Sequence, residues 1–353
     1  MNAYGQIENS GTAERLICLD GWRGMAILFV IIGHFAVFAP SGLAPAGVEC
    51  FFVLSGRLMA EILIVRQVPL GTFLARRLSR IVPALAVFVL IMLAALLAAP
   101  DHSSPGKSLL GAAGAMLFFH NYLPAESVLP FFEHTWSLAV EEHSYLLLAA
   151  IVLVGARSRR AAAGAALLLA FAAMANGLST TWYHPADGLY PYTRTDVRAA
   201  SILLPFALWI MVQPRLAQVK GLWLEWLGPV CLAAGLALHL AAVPDRLAFT
   251  LGTALIAVAV VTIHRAHRLV LGLLESPFAV WFGLISFSLY LWQQPLFAAA
   301  RNGAPVLLCL AIALGCALWS FHAVEGPARA RLNRAFASGR WSPGARLAET
   351  RPA

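Results

Sequence analysis

GWRGMAILFVIIGHFAVFA, residues 21–39, is a run of nineteen residues in which Arg23 and His34 are the only ionisable side chains. A helix of that length rises about 28 Å, close to the ~30 Å hydrocarbon core of a bilayer. The same pattern returns at 45–65, 80–99, 134–155, 161–178, 197–213, 222–241, 247–264, 278–300 and 304–323. Composition agrees: 60% of residues are apolar and 12% charged, where soluble domains carry about 25% charged residues. Backbone amides in lipid must be paired within their own segment, and no ten-residue alternation suggests a barrel. The expectation is an all-α polytopic membrane protein with about ten transmembrane helices in one bundle. The shorter apolar stretch 108–120 reads as a re-entrant or interfacial helix. Residues 1–20 read as a cytoplasmic segment, 21–325 as the transmembrane domain and 326–353 as a frayed, basic cytoplasmic tail.

Charge sets the orientation. With the N-terminus cytoplasmic, eighteen of the 25 basic residues fall in inside segments and four in outside ones, as the positive-inside rule requires. The basic balance is then explained by anionic lipid headgroups, and nucleic acid need not be invoked. The five cysteines show no metal-ligand spacing and no disulfide framework. No cleavable signal peptide is evident, so the first span reads as an uncleaved anchor. There is no internal repeat.

Ionisable residues within spans are expensive and point to function. Arg23 and His34 are eleven residues apart, hence about 20° apart around the helix and about 16 Å along it. Taken alone, Arg23 reads equally as a snorkelling anchor and His34 as a packing histidine. The second span carries Glu49 and Arg57, which read first as a buried pair, either with each other or with a glutamate of the fourth span. The fourth opens HTWSLAVEEHSYLL, crowding His134, Trp136, Ser137, Glu141, Glu142, His143 and Tyr145 into about three turns. Arg76, Arg77 and Arg80 precede the third span. Arg77 and Arg80 share a helix face and suit a phosphate, although such clusters also serve topology alone.

Six blocks in order carry a resemblance: LDGWRGMAILFVIIGH (Leu19–His34), GVECFFVLSG (Gly47–Gly56), FLARRLSRIVP (Phe73–Pro83), HTWSLAVEEHSYL (His134–Leu146), ISFSLYLWQQP (Ile285–Pro295) and HAVEGPAR (His322–Arg329). Together they resemble the acyltransferase 3 family of bacterial membrane proteins, which O-acylate carbohydrates and other hydroxylated acceptors. The resemblance implies a ten-helix acyltransferase bundle, multi-pass in the inner membrane with both termini cytoplasmic. It also implies acyl-CoA, most often acetyl-CoA, as a donor substrate rather than a resident cofactor, and an extracytoplasmic carbohydrate as acceptor. The family's essential Arg and His fall on Arg23 and His34, and its Arg-x-x-Arg on Arg77 and Arg80. Three features depart from the pattern. Glu49 stands where Asp is usual, Arg57 where an apolar residue is expected, and Gln293 where many members have His. The resemblance is to the stand-alone form, expected without the SGNH hydrolase-like domain that longer members append.

On this reading the donor docks on Arg76, Arg77 and Arg80 with Arg23, and its thioester reaches His34. The acceptor hydroxyl enters among Trp136, Ser137 and Gln293. His34 acts as general base, or alternatively as a nucleophile that carries the acyl group. Glu142 or Glu141 orients it, and Arg57 or Tyr290 meets the oxyanion. A transporter or flippase, or a binding scaffold without turnover, is the competing class. The missing repeat and the lack of paired broken spans speak against the transporter.

Overall fold

The computed structural model describes residues 16–36, 38–98, 104–124, 127–155, 158–183, 190–216, 218–240 and 244–337. Among them there is no strand. The principal helices are α1 (Ile17–Phe35), α2 (Leu43–Ala60), α3 (Leu70–Ala98), α4 (Pro105–Met116), α5 (Trp136–Gly155), α6 (Arg159–Tyr183), α7 (Ala200–Leu216) and α8 (Leu222–Leu240). The remainder are α9 (Thr253–Thr262), α10 (Arg268–Leu274), α11 (Pro277–Arg301), α12 (Val306–Trp319) and α13 (Gly326–Ala337). π-Helical turns extend α2 over Glu61–Val65 and join α12 to α13 over Ser320–Glu325.

Helices stand at all ten predicted positions. Among the described residues, eight are long and apolar enough to cross a membrane, or nine if α10 and α11, bent by 47°, form one span. The expected count of ten is therefore not reached by length and composition. The remaining stretch, 43–65, carries Glu49, Arg57 and Glu61 and runs through the middle of the bundle against α1, α7 and α9. α4 has twelve residues, about 18 Å of helix, which is too short to span. It packs on α3 and is followed by the turn His120–Tyr122.

Close approach of small residues sets the register of the bundle, as expected where apolar lipid offers no solvent force to press helices together. A Cβ on Gly24 would lie 1.9 Å from the Ala279 carbonyl oxygen, and one on Gly283 would lie 2.0 Å from that of Asp20. α1 and α11 thus touch backbone to backbone. α1 and α2 run antiparallel, with Gly33 against Ala44 and Gly47 against Ala26 and Val30. The end at which α1 begins is the near end below, and the other is the far end.

Two sequence expectations change. Glu49 does not pair with Arg57: its carboxylate accepts from Arg198 Nη2 at 2.5 Å and Thr253 Oγ1 at 2.7 Å, all fully buried. Such a pair, with both charges dry, is costly to break by removing one partner, about 3–5 kcal/mol. The tail also is not frayed over 326–337. There α13 docks on α3, with Ser79 donating to Asn333 Oδ1 at 3.0 Å. Residues 1–15 of the expected N-terminal segment and 338–353 of the expected tail lie outside the described residues.

Candidate active site

Besides the Glu49–Arg198 pair, two polar sites lie along α1 among the described residues. At the far end of α1, His34 Nδ1 is 2.7 Å from Gln293 Oε1 on α11. The orientation of that amide follows from its other contacts, since Gln293 Nε2 faces the Tyr290 carbonyl and Gln294 Oε1, each at 3.4 Å. Both are acceptors, so the NH₂ belongs on their side and the oxygen on His34. Nδ1 therefore carries the proton and donates, which leaves Nε2 with a lone pair. Phe297, one turn beyond Gln293, stacks flat on the imidazole at 4.2 Å and 6°. The ring is held both in tautomer and in plane.

This corrects the expected orienter. Ala44 on α2 is level with Gly33 on α1, and Ser55 lies eleven residues further along, about 16 Å nearer the start of α1. Ser55 Oγ donates to Glu141 at 2.5 Å, so Glu141 and its neighbour Glu142 belong to the near half and do not position His34. Gln293, expected to meet the acceptor, does so instead. Arg57 is displaced in the same way: thirteen residues from Ala44 puts it about 20 Å from the level of His34. It lies over the Trp209 ring at 4.2 Å, 2% exposed, with Nε and Nη2 lacking hydrogen-bond partners. It is too distant to meet an oxyanion at His34.

Tyr290, one turn before Gln293 on α11, ties that helix to the start of α5, where Trp136 and Ser137 stand. The Tyr290 and Ser137 hydroxyls are 2.7 Å apart, and both approach the His134 carbonyl oxygen, at 3.1 and 3.0 Å. Trp136 is buried between Phe52 and Tyr192. These three anchor the start of α5 and do not offer free groups. His134 itself carried no assigned role in the sequence reading. It is buried against Phe88 and Tyr290, and neither ring nitrogen has a partner. Gln294 and Glu133 meet at 3.5 Å nearby.

The near site is ionic. Arg77 Nε donates to Glu142 at 2.7 Å, and its Nη2 lies 3.2 Å from Glu141. The Tyr145 hydroxyl also donates to Glu141, and the Arg77 guanidinium lies 3.5 Å over the Tyr145 ring. Arg77 is thus committed to carboxylates, which differs from the free phosphate grip expected of it. Arg76, on another face of α3, is exposed. Arg80 lies in the field of Arg23, Arg329 and Glu325. Arg23 pairs with Asp20 at 3.6 Å, and Glu325 accepts from Ser288 at 2.8 Å. Of the expected donor residues the fold gathers Arg23, Arg77 and Arg80. It adds Glu325, at the end of the expected transmembrane domain, and Arg329, which fell in the expected tail because its partners lie on helices far away in sequence.

The sequence of this chain matches a known family. A profile described as an acyltransferase domain covers residues 16–323. A Komagataeibacter xylinus protein named as a membrane-bound transacylase, BcsY, is 29% identical over 329 residues, 87% of this chain and 81% of that one. The peptidoglycan O-acetyltransferase OatA of Listeria monocytogenes is 28% identical over 352 residues, 88% of this chain but only 55% of its own length. The Staphylococcus aureus O-acetyltransferase OatA matches at 29% over 163 residues, 42% of this chain and 26% of that one. No solved structure matches.

Proposed function

The chain belongs to the acyltransferase 3 family, and on that premise we propose that this multi-pass membrane protein transfers an acyl group from acyl-CoA to a hydroxyl of a glycan. The near end is the cytoplasmic, donor side, and the far end faces the acceptor. Acetyl is the group we assign, by analogy with the O-acetyltransferase relatives. The peptidoglycan named for one relative supports a polysaccharide as acceptor.

The observation that carries the reading is the His34–Gln293 pair. With Nδ1–H tied to Gln293, Nε2 is left to take the proton of an acceptor hydroxyl. The oxygen attacks the thioester carbonyl, the C–S bond breaks, and the thiolate leaves with the proton returned by the imidazolium. Gln293 Oε1 stabilises the charged ring through the same hydrogen bond. General base catalysis of this kind is worth about 10²–10⁴-fold. The near cluster lies about 16 Å below His34 along α1, a span that the long arm of CoA would bridge. Arg23, paired with Asp20, and Arg80 face the donor, while the carboxylates hold Arg77 in place.

The test is transfer of radiolabelled acetyl from acetyl-CoA to polysaccharide by the purified protein in lipid discs. Label on the glycan with wild type and none with His34→Ala at equal abundance is the expected result. Equal transfer by the variant would reject His34 as base, and label trapped on the protein without acceptor would favour an acyl-His34 step over direct transfer.

A further inference from the structure

The near cluster is poorly suited to hold several phosphates. Its cations Arg23, Arg77, Arg80 and Arg329 are faced by the carboxylates Asp20, Glu141, Glu142 and Glu325, so it has little net positive charge. At the same end of the bundle, a cavity of about 700 Å³ has the opposite balance. Lys220, Arg265 and Arg268 line it with two imidazoles, His264 and His267, against a single carboxylate, Glu225.

Three features make this a built surface. Arg265 Nη2 donates to the Val219 carbonyl at 3.3 Å, which holds the guanidinium at the wall. His267, which lines the cavity, stacks at 5.2 Å and 15° on the half-exposed Trp226, which lies just behind that lining. His264 meets the edge of Trp209, over which lies the buried Arg57 with two unpartnered nitrogens. The carboxylate near Arg57, Glu61, is taken up by the Trp209 N–H at 3.1 Å and by Arg66 at 3.0 Å. Positive potential therefore backs the cavity from within the bundle. The cavity also adjoins α1: Leu271 lines it, and one turn on, the Leu274 carbonyl lies where a Cβ of Gly21 would be.

We infer that this cavity seats the nucleotide end of the donor, with the phosphates of an adenosine 3′,5′-bisphosphate group on Lys220, Arg265 and Arg268 and the purine against the His267–Trp226 stack. The inference rests on the acyl-CoA reading above. Guanidinium forks match phosphate oxygens geometrically, and aromatic faces take a base by stacking. A lipid headgroup would supply the phosphate but no base.

The experiment measures binding of CoA, adenosine 3′,5′-bisphosphate and inorganic pyrophosphate to the full chain in discs of phosphatidylcholine, with and without phosphatidylglycerol. Wild type should bind both nucleotides. Arg265→Ala with Arg268→Ala should weaken both by on the order of tenfold per arginine, raising KM for acyl-CoA while kcat holds, which also reports an intact fold. Trp226→Ala should weaken the nucleotides and leave pyrophosphate unchanged. Nucleotide binding unaltered in the double variant overturns the inference. So does a change that appears only with phosphatidylglycerol, since that marks a headgroup site. Wild type that binds neither CoA nor the bisphosphate defeats the acyl-CoA reading itself, whereas normal CoA binding by the double variant defeats the cavity alone.

Discussion

The two ends of α1 solve the problem of polar groups in a membrane in opposite ways. At the near end charge is met by charge: Arg77 is clamped by Glu141 and Glu142, Tyr145 and Ser55 complete the carboxylate shell, and Arg80 and Arg23 lie beside Glu325 and Asp20. At the far end the ring of His34 meets a neutral amide and an apolar ring, Gln293 and Phe297. A carboxylate in place of Gln293 would hold the imidazole as a cation. A neutral acceptor fixes the tautomer and still lets the proton come and go. The near end is built to stay charged and the far end to change its charge.

The largest effect should fall on the far end. His34→Ala removes the base and should lower kcat by about 10²–10⁴-fold with little loss of folded protein, read by transfer assay and thermal unfolding of the same sample. The pH profile should fall on the acid side as the imidazole, ordinarily near pKa 6.5, takes up the proton it must be free to accept.

The near end should break differently. Arg77→Met strands two part-buried carboxylates, seen as lower melting temperature and membrane abundance. Adding Glu141→Gln and Glu142→Gln to that variant should recover much of the stability. Failure to recover would mean that Arg77 matters for something other than charge balance.

Gln293→Leu sharpens the contrast by removing only the tautomer lock. A hydrogen bond to a charged group contributes about 1.5–3 kcal/mol, so kcat should drop on the order of 10–100-fold while KM for the donor holds. The smallest effect belongs to Arg57→Met, which should leave kcat within about twofold, because it lies about 20 Å from the level of His34. A kcat loss matching that of His34→Ala would put Arg57 in the chemistry and undo the division between the ends.

Which of this was legible in sequence follows from range. The spans could be read because apolar runs are local, and Arg23 with His34 could be placed on one face because helix geometry is local too. Partners were not. Glu49 and Arg57 lie on one helix and look paired, yet Glu49 takes Arg198, 149 residues away. Gln293 looked like a departure that cost the site a histidine, and only its contact across 259 residues shows it holding one. Arg329 read as tail because Ala- and Arg-rich sequence after the last apolar run carries no signal of docking. The Ser79–Asn333 bond that reveals it spans 254 residues. His134 was visible in its motif, but its unpartnered nitrogens exist only in the fold.

The division of labour between the ends can be measured in sealed vesicles carrying the protein in one orientation, with labelled acetyl-CoA confined to the near side and glycan to the far side. Label appearing on the far-side glycan, without free acetate crossing and absent with His34→Ala, is the result this account predicts. Transfer only when donor and glycan share one side would contradict it.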